Sequence, residues 1–310
     1  MLFSIITPSF KQLDWLRLCV ASVRDQFRLS TLNSQPSTAD PLSIEHIIQD
    51  GGSVGIEDFA RENGAALYRD GRLDCAASSA LPGYRLTIHS EPDAGMYDAI
   101  NRGLKRAEGT LLAYLNSDEQ YLPDTLVKVA ALFKKNARAE LVFGDVILVN
   151  ESGEALGYRR VTRPHKIHTR LLHLGTLSCA TFFRRAVIDE GFFFDPAWKA
   201  IGDAVWVESL LQAKKRSAIL TEPLGTFAFT GHNLSESNKG SDGEHARWAR
   251  LSGAPPAWLR LPALLHHRIG KLLSGAYRKR SLSYEIYRRG EPAHRHHFEA
   301  SNLGHHWPSR

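Results

Sequence analysis

Four short polar stretches stand out in the first part of this 310-residue chain: Thr7-Pro8-Ser9-Phe10-Lys11, Asp50-Gly51-Gly52-Ser53, Glu91-Pro92-Asp93-Ala94-Gly95 and Asn116-Ser117-Asp118-Glu119. Each follows an apolar run. Their side chains are largely acidic, and they form no phosphate cradle: neither G-x-G-x-x-G nor G-x-x-x-x-G-K-[ST] occurs. Acidic groups hold a phosphorylated ligand only with a divalent cation between them. Mg2+ and Mn2+ suit that place, because they take oxygen ligands, usually one or two carboxylates completed by phosphate oxygens and water. Asp118 is the residue expected to hold such an ion, Mg2+ or Mn2+, and through it a diphosphate. Glu119 is expected to face solvent or an acceptor.

The apolar runs 2–7, 44–49, 84–90 and 110–116 have the length of buried strands. Helical patterns lie between them at about 13–27, 56–63, 97–107 and 123–136, the last opened by Pro123. Strands alternating with helices predict an α/β fold with a mainly parallel central sheet and helices on both faces. In such sheets ligands bind at the carboxyl ends of the strands. All four polar stretches sit there, and they would converge on one edge. Taken singly, each reads as an ordinary turn. Segments 28–43 and 70–83 read as loops. Further on, ELVFGDVILVN and EALGYRRV flank a hairpin-like ESG turn, ATFFRR reads as a short strand and GDAVWVESLLQAKKR as a helix.

Composition is that of a soluble globular protein, 43% apolar and 23% charged. No apolar run reaches membrane-spanning length, and the first residues lack the basic start of a signal peptide. Three widely spaced cysteines, Cys19, Cys75 and Cys179, disfavour a disulfide framework or a zinc site and fit a reducing cytoplasm. The net charge of +6 is unevenly spread. Residues 251–310 hold ten Lys/Arg against three Asp/Glu, which is +7 and leaves −1 for the rest. Two units follow: an α/β body over 1–250 and a basic amphipathic helical tail over 251–310. Within the tail, Leu261, Leu264, Leu265, Ile269, Leu272 and Leu273 share one helical stripe. Such a helix packs on the body or lies on an anionic membrane surface. Nucleic acid is not expected as a partner, because the strand ends are acidic and no recognition motif is present.

The segments SIITPSF, DGGS, EPDAGMYDAINRG, LNSDE and ATFFRR…GDAVW occur in the order and approximate spacing of family-2 glycosyltransferases with the GT-A fold. Over about residues 2–235 the chain resembles the bacterial members that build polysaccharides and lipid-linked oligosaccharides. The resemblance implies a nucleotide-diphosphate sugar donor, a divalent metal, inversion at the anomeric carbon and a glycan or lipid-linked acceptor. A cytoplasmic enzyme is expected, peripheral on the inner face of the plasma membrane where the tail meets lipid rather than packing on the body, with a nucleotide-sugar half at about 1–120 and an acceptor half at about 121–250. Pro8 and Ser9 match the loop that touches the nucleoside, and Asp50 the acidic residue that bonds the nucleobase. Asp93, Gly95 and Asp98 match the donor-pocket segment, with Asn101 and Gly103 behind it. Asn116 and Asp118 match the D-x-D element, Asn116 replacing its first Asp. Asp203 matches the general base; its alternative role is a helix N-cap.

The chain departs from the pattern in two places. It reads SCATF, with Ser178 and Cys179, where such proteins often read HQATF. Trp206 and Glu208 follow the base where DYxxxxR is common. Three further assignments come from residue type alone: His232 completes a metal or diphosphate site or is merely exposed, Arg184 and Arg185 face an anionic acceptor or solvent, and Asp145 lines the acceptor side. Two other functions compete: a non-catalytic nucleotide-sugar or glycan-binding module, and a sugar-phosphate nucleotidyltransferase. The second is disfavoured, since TPSFKQ lacks the glycine-rich loop such enzymes carry after the first strand.

Overall fold

The computed structural model describes residues 2–33, 42–78, 81–231, 238–253, 255–305 and 307. In chain order the elements are β1 (Leu2–Ser9), α1 (Leu13–Asn33), β2 (Ser43–Asp50), α2 (Ile56–Asn63), β3 (Ala66–Arg69), β4 (Arg72–Cys75), β5 (Tyr84–Ser90), α3 (Met96–Arg106), β6 (Leu111–Tyr114), β7 (Glu119–Tyr121) and α4 (Thr125–Lys135). They continue as β8 (Leu141–Asn150), β9 (Ala155–Arg159), α5 (Lys166–Leu171), β10 (Thr181–Arg184), α6 (Arg185–Asp189), α7 (Gly202–Gln212), β11 (Ser217–Phe229), α8 (Asn238–Ser252), α9 (Arg260–Leu273), β12 (Arg280–Arg288) and β13 (Glu291–Leu303).

The large sheet runs β4-β3-β5-β2-β1-β6-β10-β8-β11-β7, with β9 on β8. Strands β3, β5, β2, β1 and β6 are parallel, as the alternation of strand and helix predicts. Antiparallel pairings enter at β10, at the edge strands β4 and β7 and at β9, so the whole sheet is mixed. The period-two geometry of a strand sends neighbouring side chains to opposite faces. Phe3 and Ile5 of β1, Ala113 of β6 and Phe182 of β10 join the core covered by α1, α2 and α4. Ile6, Leu112 and Phe183 point the other way, into a second core with α3, α6 and α7. Helices on both faces are therefore dictated by central strands whose side chains are buried on both faces.

Three elements depart from the sequence reading. Residues 70–83 are not simply a loop, because β3 and β4 form a hairpin across Asp70 (φ 45°) and Gly71 (φ 79°). Asp-Gly is a favoured pair for two positive φ values, so the signal was present in the sequence. The tail is helical only in part: α9 is followed by the antiparallel hairpin β12–β13. In β12, Leu282, Tyr284 and Ile286 alternate with polar residues, and that period of two outweighs the basic composition. Tyr284, Ile286 and Leu303 pack on Ile147, Val149 and Tyr158, and Arg295 bonds Asp25 at 2.7 Å, so the hairpin is seated on the main sheet. Glu119 lies in β7 and is fully buried rather than facing solvent.

Candidate active site

Main-chain bonds align the strand ends. Gly51 N–H donates to Ser9 O (2.8 Å), Glu91 N–H to Asp50 O (2.9 Å) and Leu115 N–H to Ile6 O (2.9 Å). Beside them lies a cavity of about 590 Å3 lined by Pro8, Ser9, Phe10, Gly51, Asp93, Gly95, Tyr97, Asn116, Asp118, Ser178 and Asp203, among others. That volume suits a small-molecule ligand. Gly51 is required for the close approach of its walls. A Cβ there would sit 3.0 Å from the Phe10 ring and 3.2 Å from Asp93 Oδ2.

Of the residues singled out in the sequence, Pro8, Ser9, Asp93, Gly95, Asn116, Asp118 and Asp203 meet at this cavity. Asp50 does not line it. Its buried carboxylate accepts bonds from Gly52 N–H, Ser53 N–H, Ser53 Oγ and Ser90 Oγ, all within 2.9 Å, and these hold the loop rather than a base. Asp98 also stays behind the wall. It accepts from Ala94 N–H at 2.9 Å and pairs with Arg102, closing the start of α3. Asn101 is turned away: its amide donates to Phe194 O (2.7 Å) and accepts from Phe194 N–H (3.0 Å). That double bond pins the loop before α7. Gly103 lets α3 approach β1, since a Cβ there would lie 2.5 Å from Ile6. Arg184 and Arg185 bond main-chain carbonyls at Ala139 and Gly109, both at 2.8 Å. Asp145 is fully buried against Tyr158 (2.6 Å), Arg160 and Val161. None of these three faces the cavity. His232 lies outside the described residues.

The carboxyls at the site are electrostatically unusual. Burial pushes Asp118 up to about 6 and Asp203 up to about 6. Glu119 rises to about 8, through burial first and the neighbouring Asp118 charge second. Glu119 accepts from Asn116 N–H (2.9 Å) and Ser178 Oγ, and Ser178 Oγ accepts from Asn116 Nδ2 (3.2 Å). Glu119 thus fixes the lip that carries Asp118 from beneath. At the lip itself, Ser9 Oγ and Asn116 Oδ1 are buried with no hydrogen-bond partner among the described residues. Buried polar atoms left unpaired are uncommon, and both belong to residues that line the cavity.

Asp203 occupies the first turn of α7, two residues past the N-cap residue Ile201, so it is not itself the N-cap. Asp203 Oδ1 accepts from Ala204 N–H (2.8 Å) and from the Tyr97 hydroxyl (3.4 Å), whose oxygen accepts from Asp203 N–H (3.1 Å). Tyr97 reaches this place because residue 202 is glycine: a Cβ there would lie 2.4 Å from its ring. Sequence reasoning missed Tyr97 as a positioning residue, and it missed Trp307. Trp307 lines the cavity from the tail, packed on Phe227 and Phe229. No local signal marks it, because its placement depends on how the hairpin docks.

Residues 4–192, more than half of the chain, match the model of glycosyl transferase family 2. The chain belongs to that family. It is 35% identical over 149 residues to a PGL/p-HBAD biosynthesis glycosyltransferase of Mycobacterium tuberculosis, covering 47% of each protein. It is 24% identical over 230 residues to the minor teichoic acid biosynthesis protein GgaA of Bacillus subtilis, covering 71% of this chain and 46% of that one. The chain spans about half the length of these curated relatives. Two solved structures share its fold. S. aureus TarS gives a TM-score of 0.53 at 16% identity, over 98% of this chain and 60% of that one. A mannosyltransferase of Pyrobaculum calidifontis, in complex with GDP-Man and Mn2+, gives 0.53 at 13% identity, over 88% and 71%. The fold is GT-A, as the sequence motifs imply.

Proposed function

We propose that this chain transfers a glycosyl group, with inversion, from a nucleotide-diphosphate sugar to a hydroxyl of a glycan or lipid-linked acceptor. The observation that carries the reading is the meeting of Asp118 and Asp203, far apart in sequence, at one cavity with the unpaired Ser9 Oγ and Asn116 Oδ1. In an inverting displacement the acceptor oxygen bonds to the anomeric carbon as the bond from that carbon to the diphosphate breaks. Asp203 accepts the hydroxyl proton, and its carboxyl, raised to about 6, is ionised at neutral pH yet basic enough to take it. Tyr97 and Ala204 N–H aim its Oδ1.

The lip fits a hard divalent cation. Asp118 would supply a carboxylate, with Asn116 beside it on the lip, and the remaining positions would fall to diphosphate and water. When bound, the ion supplies Lewis-acid stabilisation of the leaving diphosphate. Relatives support the substrate classes. One solved neighbour holds GDP-Man and Mn2+, TarS was also solved with UDP-GlcNAc (TM-score 0.52), and the curated relatives are named for PGL/p-HBAD and minor teichoic acid biosynthesis.

Thermal denaturation with UDP, GDP and their sugars, with and without Mn2+, tests the donor half. One nucleoside diphosphate is expected to raise the melting temperature in a Mn2+-dependent way. No shift with any of them overturns the reading. Asp203→Asn is expected to keep donor binding and lose transfer, whereas a non-catalytic binding module would show no transfer in either form.

A further inference from the structure

Helix α9 sits on the body the wrong way round for water. Its inner face buries Ala263, His267 and Lys271, the last only 8% exposed. His267 packs against His168 and His173, with ring centroids 5.0 Å apart in both cases. Burial lowers Lys271 to about 8. Its outer face turns Leu261, Leu265, Ile269, Leu272 and Leu273 to solvent, from 52% exposed at Leu265 to 82% at Leu273. Trp258 (72%) and Tyr277 (48%) extend this surface before and after the helix. An amphipathic helix on a soluble body buries its leucines and exposes its lysine. The reverse arrangement leaves a contiguous apolar stripe, which marks an interaction surface.

Charge selects the partner. Between Glu244 and Glu285 the chain holds eight Lys/Arg and no Asp or Glu. Arg260, Arg268, Arg278 and Lys279 are exposed along the stripe and form no ion pair among the described residues. A symmetric contact with a second copy would set these cations against their own kind. Leucines between unpaired cations match an anionic bilayer, where acyl chains take the stripe and headgroups take the charges. No described helix is long and apolar enough to cross a membrane.

We propose that the outer face of α9, with Trp258 and Tyr277, docks on an anionic lipid bilayer. The tail then links that surface to the cavity. Tyr277 packs edge-on against His305 (5.7 Å), two residues before Trp307 on the cavity wall. Two residues span at most about 7 Å, so the docked face lies close along the chain to the cavity rim. The consequence, delivery of a membrane-borne acceptor to Asp203, rests on the function proposed above; the docking does not.

The test is co-sedimentation of the full chain with phosphatidylglycerol/phosphatidylcholine vesicles against pure phosphatidylcholine, at low and high salt. Binding is expected to need phosphatidylglycerol and to weaken with salt. Leu265→Glu with Ile269→Glu is expected to weaken it by about tenfold or more at an unchanged melting temperature, since both side chains are exposed. Arg278→Ser and Lys279→Ser are each expected to weaken it by about fivefold. Wild-type protein that stays in the supernatant with phosphatidylglycerol overturns the proposal. So does a dimer in light scattering that the Leu265/Ile269 variant dissolves, because the stripe would then be a contact between copies. Vesicle binding without any nucleotide-induced thermal shift would sink the transferase reading and leave the docking intact.

Discussion

Replacing Asp203 by Asn is expected to abolish transfer and, at neutral pH, to make the fold more stable. The carboxyl stands at about 6 against an ordinary 3.8, a rise caused chiefly by burial. About two units at about 1.4 kcal/mol each mean that keeping it ionised costs the folded state about 3 kcal/mol above pH 6. The amide removes that cost, but it weakens the bonds accepted from Ala204 N–H and the Tyr97 hydroxyl by about 1–2 kcal/mol. The net gain is about 1–2 kcal/mol, or about 1.5–3 °C in melting temperature for a chain of this size. The sign depends on pH. The folded value lies above the unfolded one, so the wild type gains stability as pH falls from about 6 to about 4, where its folded carboxyl takes up the proton first. The variant lacks that gain, so its advantage is full above about pH 6 and gone near pH 4. Melts of both proteins at about pH 7.5 and pH 4.5, without nucleotide or metal, measure it. A variant less stable than wild type at neutral pH, or a difference that ignores pH, refutes the reasoning.

Transfer measured as kcat/KM at saturating Mn2+ should decline as pH drops through about 6, with a slope approaching one, because Asp203 needs to be ionised; a profile flat down to about pH 5 would count against its role as base. Asp118→Asn is expected to weaken Mn2+-dependent binding of a nucleoside diphosphate by at least about tenfold in calorimetry, while metal-free binding changes little. Gly202→Ala and Gly103→Ala both force a Cβ into a ring or side chain, at 2.4 Å from Tyr97 and 2.5 Å from Ile6. Each should cost about 1–3 kcal/mol in stability. Only Gly202→Ala should also depress kcat, since Tyr97 aims Asp203, and equal losses in kcat would dismiss that positioning role.

The strand ends explain why so much of the site was legible. Apolar runs of strand length, alternating with helical periodicity, force a parallel βαβ sheet, and such a sheet gathers whatever follows its strands at one edge. Pro8, Ser9, Asp93 and Asp118 needed no more than that to be placed together. The same argument could not separate a residue that faces the cavity from one that builds its wall. Asp50 at the end of β2 and Asp98 and Asn101 in α3 lie in the right segments, yet each spends its polar atoms on neighbouring main chain or side chains. Which side of a turn a carboxylate faces depends on donors contributed by other loops, such as Ser90 Oγ on Asp50.

The sequence by itself determined the α/β alternation, the acidic strand ends, the family and the concentration of positive charge after residue 250. Tertiary structure decided the rest, because those features are relations between distant segments. Glu119 is raised to about 8 by a burial that exists only once β7 pairs with β11 beside Ser178. Trp307 reaches the cavity only because β12 and β13 dock on β8 and β9. The leucines of α9 have the period of a helix face in the sequence, but a period carries no direction. Packing of His267 and Lys271 against the body turned that face outward.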